Sequence, residues 1–131
     1  MALRVYNYKM KAIIAINNLN YIGKDGKLPW KCKEDLQHFK RLTLNQSCLV
    51  GYNTYKTLPP LKDRVLIQDV RGEYLDADWC IGGSKTYEKY CHLFTELHIS
   101  HIDDNSIGDC SAPSFKNLNE ECKIYNYHFK C

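Results

Sequence analysis

Four short runs of this chain are apolar almost from end to end: KAIIAI (11–16), SCLVG (47–51), RVLIQ (64–68) and WCIGG (79–83). A strand with one wetted face alternates apolar and polar residues. A strand buried on both faces does not, and that habit belongs to parallel sheets. Helical or loop stretches separate most of the runs, and parallel neighbours need such crossovers. The runs predict an α/β fold with a mostly parallel central sheet flanked by about three helices.

The predicted helices fall between the strands. Leu36, Phe39 and Leu42 recur at helical spacing in KEDLQHFKRLT (33–43). YNTYKTL (52–58) reads as a short helix stopped by Pro59 and Pro60, and SKTYEKYCHLF (84–94) as another, with Ser84 near its start. ELHISHID (96–103) reads as a further strand and KIYNYHFK (123–130) as a late one, while DVRGEYLDAD reads as a polar connection with a minor strand at 73–75. Two of the strands end in glycine before a helix, at Gly51 and at Gly82–Gly83. A helix start offers free N–H groups and a positive dipole, and glycine admits a ligand to the backbone. Two adjacent junctions of this kind suit the two phosphates of a dinucleotide, although neither is a G-x-G-x-x-G fingerprint or a P-loop.

The 131 residues suit one domain and can bury a core without disulfides or metal. No apolar run reaches the length of a membrane span, and Lys9 and Lys11 interrupt the only early apolar stretch, so neither a membrane span nor a signal peptide is expected. The net charge of +3 is too mild for a nucleic-acid footprint. Seven cysteines, an odd number with no C-x-x-C pair, suggest reduced cytoplasmic thiols rather than a disulfide framework or a zinc site. His98 and His101, three apart in a strand, point to opposite faces and are not placed to share a metal.

One residue stands out against this background. Asp35 precedes Phe39 by four positions and Leu42 by seven, so it points along the apolar edge of its helix. A carboxylate near a helix start can simply answer the dipole. Glu34 fits that role better, facing His38 and Arg41 on the polar side.

Taken in order, IIAINNLNYIGKDGKLPW, KEDLQHFKRLT, VGYNTYKTLP, LKDRVLI, CIGGSKTYE, LHISHID and IGD resemble the dihydrofolate reductase family over about residues 11–109. The resemblance implies a single domain, with residues 1–9 additional to the family's start. It implies that Asp35 binds the pterin's 2-amino group and neighbouring ring nitrogen and favours protonation at nitrogen 5, while carbon 6 takes hydride from NADPH. Desolvation is expected to raise its pKa. Phe39 would stack on the pterin and benzoyl rings, Arg64 would hold the folate α-carboxylate, and Ser100 would hydrogen-bond the acid. Ile13, Ala15, Leu36, Leu58 and Ile81 would complete the folate pocket. Tyr87 would lie near the nicotinamide, and Trp30 would wall the pocket. For the cofactor, the resemblance implies Ala15 and Ile22 beside the nicotinamide, a cis peptide between Gly82 and Gly83, and two phosphate-facing groups: Ser84, Lys85 and Thr86, then Gly51, Tyr52, Asn53 and Thr54. The loop from Asn17 to Lys27 would be a lid steadied by Asp109. Each residue also has a plainer reading: Phe39 and Tyr87 as core, Trp30 as an anchor, Arg64 as a solvated strand start, Asp109 as a turn.

The chain also departs from the family. Tyr52 stands where many relatives carry a basic residue near the ribose phosphate, and Gln68 or Asp69 replaces a usual serine. The connection from RVLI to WCIGG is too short for the usual helix, and the tail after Asp109 is too short for the usual closing strand pair. The resemblance implies a cytoplasmic, monomeric enzyme acting on a small folate, with neither nucleic acid nor membrane as partner. Two other readings stay open: a sister reductase acting on a ribosylated aminopyrimidine in riboflavin synthesis, and a non-catalytic shell that binds folate or protein.

Overall fold

The computed structural model describes residues 9–69 and 76–131. Its strands are β1 (Met10–Asn17), β2 (Tyr21–Gly23), β3 (Ser47–Gly51), β4 (Val65–Asp69), β5 (Trp79–Cys80), β6 (Phe94–Ile102), β7 (Cys110–Ser111) and β8 (Lys123–Phe129). Its helices are α1 (Lys33–Thr43), α2 (Tyr52–Thr57) and α3 (Ser84–Tyr90), the last followed by a 3-10 turn at Cys91–Leu93. Six strands form one sheet in the order β4-β3-β5-β1-β6-β8, parallel at every pairing. No helix among the described residues is long and apolar enough to cross a membrane.

Both faces of the sheet are covered, which is why its strands are apolar runs. Successive residues of β1 point to opposite sides. Ile13 packs with Cys48, Trp79, Phe39 and Leu42, on the α1 side. Ala12 and Ile14 pack with Leu49, Tyr87, Tyr90 and Phe94, on the α3 side. The central strands carry the most completely buried residues, including Leu49, Val50, Cys80 and Phe94.

Several boundaries differ from the sequence reading. WCIGG is a strand only at Trp79–Cys80, and the peptide between Gly82 and Gly83 is cis. The ladder still continues by single bonds, from Ile81 N–H to the Leu49 carbonyl at 2.9 Å and from Gly51 N–H to the Gly82 carbonyl at 2.7 Å. β6 starts at Phe94 rather than Glu96, since Phe94 is fully buried and pairs with Met10. The β2–β7 pair was not read at all, because two- and three-residue strands show no periodicity. The tail closes the sheet with one strand: β8 lies in register beside β6, from Glu96 against Lys123 to Ile102 against Phe129. The minor strand at 73–75 and the extension at 1–8 lie outside the described residues.

Two expectations about side chains are corrected. His38 is not on a polar face with Glu34; it is buried beneath Tyr127 and Phe129, ring centroids 4.2 and 5.5 Å away, because β8 covers that side of α1. The thiols are not all reduced. Cys32, the residue that caps α1, is disulfide-bonded to Cys131, with Cα atoms 5.2 Å apart and a sequence separation of 99. Linear spacing carried no sign of this, since the pairing depends on β8 ending beside the start of α1. Cys48, Cys80, Cys91, Cys110 and Cys122 are free.

A crosslink over so long a loop restricts the unfolded chain strongly. Reduction is expected to lower stability by about 2–5 kcal/mol, read from chemical denaturation with and without dithiothreitol. Cys131→Ser should match the reduced protein and be insensitive to the reductant.

Candidate functional site

A cavity of about 430 Å³ opens at the carboxyl ends of the central strands, where open α/β sheets place ligands. Its walls are mostly apolar, with Ile13 and Ala15 from β1, Ile22 from β2, Leu36 and Phe39 from α1, Leu58 after α2 and Ile81 after β5. Asp35 and Ser100 are polar groups facing into it. Asp35 is only 5% exposed. Burial pushes its pKa up from the ordinary 3.8, and a hydrogen bond from Ser100 and the charge of His38 offset this only in part. The Ser100 hydroxyl is 1% exposed and does not reach ideal hydrogen-bonding geometry with any described residue. A carboxyl group and a hydroxyl side by side in an apolar slot suit a flat heterocycle with polar edges.

Leu36 was expected on the apolar edge of α1 but is 54% exposed. It lies one residue, about 100° of helix, beyond Asp35 and so reaches the cavity's mouth rather than the core. Trp30 does not line the cavity. It is buried behind it with Cys32 and Ile102, packed against Ala15. Arg64 also stands outside the wall, with its guanidinium carbon 5.9 Å from the Phe39 ring centroid and Nη1 donating to Thr43 Oγ1 at 3.5 Å. Tyr87 lines the cavity but spends its hydroxyl on the Ile13 carbonyl, 2.6 Å away. With burial holding its pKa well above 10, Tyr87 is a neutral wall.

The two glycine junctions meet. Gly51 N–H bonds the Gly82 carbonyl, a side chain at Gly51 would collide with Thr86 Oγ1, and one at Gly83 would come within 2.8 Å of Thr54 Oγ1. Gly82 has φ 122°, a conformation L side chains resist. The starts of α2 and α3 therefore form one cradle at the cavity's edge, with Thr54, Gly82 and Gly83 in the wall. Tyr52, Asn53 and Lys85 are exposed, Ser84 is half-buried, and none of the four lines the cavity. Tyr52 is 51% exposed, with the Lys56 ammonium 4.2 Å from its ring centroid. Each of these glycines makes room for a neighbouring side chain: Thr86 at Gly51, Tyr87 at Gly82 and Thr54 at Gly83.

The loop over the cavity is tied from below. Asn17 is 6% exposed and its amide makes four bonds: Nδ2 donates to Asp104 Oδ2 (3.1 Å) and to the Ser106 carbonyl (2.8 Å), and Oδ1 accepts from Leu19 N–H (3.1 Å) and Tyr21 N–H (2.9 Å). Asp109 holds the same loop, accepting from Asp25 N–H and donating its own N–H to the Gly23 carbonyl, both at 3.0 Å. Lys27, Leu28 and the free thiol of Cys110 also reach the cavity. Sequence reading did not single out their contact, because it depends on how the β2–β7 pair folds the loop back.

The comparisons identify the family and the fold. Residues 9–72 match the family model described as dihydrofolate reductase. The chain is 28% identical over 144 residues to a dihydrofolate reductase of Buchnera aphidicola subsp. Schizaphis graminum, covering 93% of this chain and 87% of that one. It is 38% identical over 130 residues to dihydrofolate reductase type 9 of Escherichia coli, covering 76% and 73%. A solved dihydrofolate reductase from Enterococcus faecalis, complexed with NADP(H) and RAB-propyl, shares the fold with a TM-score of 0.71 at 23% identity, covering 85% of this chain and 80% of that one.

Two outcomes are expected. Asn17→Ala removes the four bonds of a buried amide to half-buried and exposed partners, which should cost about 1–3 kcal/mol in denaturant unfolding. Asp35 binds its proton more tightly folded than unfolded, so ionising it costs stability. That cost is absent below the ordinary carboxyl pKa of 3.8 and complete once pH passes the raised folded value. Asp35→Asn should therefore be more stable than wild type at neutral pH and lose the advantage as pH falls, read from melting temperature against pH.

Proposed function

The chain belongs to the dihydrofolate reductase family and is by that membership a reductase of dihydrofolate; from this premise we propose that it converts 7,8-dihydrofolate to 5,6,7,8-tetrahydrofolate with NADPH as the reductant. When bound, the reduced nicotinamide supplies hydride to pterin carbon 6. The observation that carries the reading is Asp35, a buried carboxyl group with a raised pKa in a mostly apolar cavity wall.

Asp35 orients the pterin through its 2-amino group and adjacent ring nitrogen, a planar two-point contact that fixes the ring in the slot. Its raised pKa makes it hold a proton to higher pH than an ordinary carboxyl group, which suits delivery to the ring that gains one at nitrogen 5. Ser100 Oγ bonds the carboxyl group and holds its rotamer. Phe39, Ile13 and Leu58 sandwich the heterocycle, and Leu36 covers its outer edge. Arg64, beside Phe39, meets the folate carboxylate at the cavity's rim. Tyr87 supports the nicotinamide side with Ala15, Ile22 and Ile81, and Trp30 backs Ala15. Gly51, Asn53 and Thr54 on one helix start and Gly82, Gly83, Ser84 and Thr86 on the other hold the diphosphate.

Preference for the phosphorylated cofactor rests on charge. Lys56, over Tyr52, and Lys85 bring cations to the outer side of the cradle. The acid at the end of β4, Asp69, is paired with Lys89 at 2.9 Å, so its charge is offset.

Purified protein given dihydrofolate should oxidise NADPH faster than NADH, followed by absorbance, and should oxidise neither without the folate. Asp35→Asn should lower turnover by about 10²–10⁴-fold while its circular dichroism stays native. An Asn variant as active as wild type at pH 7 would remove Asp35 from the mechanism. A folded protein inert with both cofactors would overturn the reading.

A further inference from the structure

The turn at residues 24–27 is fastened from two sides of the cavity. Asp25 and Gly26 have φ of 52° and 77°, the pair of left-handed residues that a two-residue hairpin turn requires. Lys24 N–H donates to the Lys27 carbonyl at 2.7 Å and Lys27 N–H to the Lys24 carbonyl at 3.0 Å, so the turn is a stiff unit. On one side Asp109 accepts from Asp25 N–H, its own N–H reaches the Gly23 carbonyl, and Ala112 N–H bonds the Asn20 carbonyl at 2.8 Å. On the other side the hydroxyl of Thr57, the last residue of α2, donates to the Gly26 carbonyl at 2.6 Å. Gly26, Lys27, Thr57 and Asp109 all line the cavity. The turn is a strap between the β7 side and the end of α2.

The two fastenings are unequal. Bonds at Asn20, Gly23 and Asp25 hold the loop to the β7 side along its length. The bond at Thr57 joins two exposed residues, where water competes for both partners and a hydrogen bond is worth little net. The hydroxyl also has a second acceptor within its own helix, the Thr54 carbonyl at 3.2 Å. One hydroxyl proton does not serve two acceptors fully, and the shorter distance favours Gly26. When the turn lifts, rotation about the C–O bond hands the proton to Thr54, a back-bond common for threonine in helices, and the Gly26 carbonyl takes water. Neither position leaves a polar group unpaired, so this fastening opens and re-forms at small cost. Gly26 is what lets the strand of chain come down so far: a Cβ there would sit 2.7 Å from Thr57 Cγ2.

We propose that Thr57 is the latch of this loop, a positioning residue whose hydroxyl holds the turn at residues 24–27 against α2 through the Gly26 carbonyl, swings to the Thr54 carbonyl when the turn lifts, and so sets how fast ligands enter and leave the cavity. The loop opens at the Thr57 end and pivots on the β7 side, where its bonds are more numerous. The proposal rests on the reductase reading only for which ligands pass.

The first test needs no turnover. Limited trypsin digestion reads lifting of the turn at the bond after Lys27, mapped by mass spectrometry, and chymotrypsin reads α2 at Tyr55. When opening is fast, cleavage tracks the population of the open form. Thr57→Val keeps the branched shape and removes the donor; Thr57→Ser keeps the donor and removes the methyl. Thr57→Val should be cut after Lys27 about two- to tenfold faster than wild type, with cleavage at Tyr55 unchanged, and Thr57→Ser should behave as wild type. An unchanged rate after Lys27 in Thr57→Val would overturn the proposal. So would a matching rise at Tyr55, which would mean that α2 itself loosens.

The second test reads ligand exit. NADPH release is followed by fluorescence after the loaded protein is mixed with excess NADP+. Thr57→Val should release NADPH about two- to tenfold faster than wild type, and Thr57→Ser should restore the slower rate. Equal release from all three proteins would overturn the latch. The proteolysis result holds whether or not the protein reduces dihydrofolate, so the latch and the reductase reading fail separately.

Discussion

A carboxyl group kept almost dry on an apolar wall is the constraint around which this structure is arranged. Desolvation is the largest influence on Asp35, larger than the hydrogen bond from Ser100 or the nearby His38. Such a group persists only where the surrounding fold is stable enough to hold it. Here α1 carries it in its first turn, where the helix dipole favours negative charge, and presses it against β1 and β6. The parallel sheet, buried on both faces, supplies the rigidity.

The chain achieves this with little material. A single strand, β8, closes the sheet beyond β6, and the same strand stacks Tyr127 and Phe129 on His38 and ends at the disulfide to Cys32. The last nine residues thereby brace both ends of the first two turns of α1. On the opposite rim, the side chains of Asn17 and Asp109 tie the loop after β1 through bonds to its backbone.

Much of this was legible in the residues. The apolar runs announced a doubly covered parallel sheet, and Gly51 and Gly82–Gly83 announced two strand-to-helix junctions. Asp35 announced itself by breaking the apolar edge of its own helix. Other features had no local signal. Glu34 and His38 look alike to a periodicity argument, since both are polar residues off the apolar edge of α1. Only β8, arriving from about ninety residues away, decides that His38 is inside. Leu36 looked like core and reached the cavity's mouth, because what lies opposite that side of α1 is a cleft and not another element.

The sequence by itself determined the main strands and helices, that the central sheet is mostly parallel, and which carboxylate faces inward. Those follow from burial and periodicity, which act over a few residues at a time. The tertiary structure alone decided what meets what: Cys32 with Cys131, Gly51 with Thr86, His38 with Tyr127, and Asp109 with Asp25. These contacts join residues far apart in the chain. Their existence depends on strand order and crossover, which no local pattern of side chains encodes.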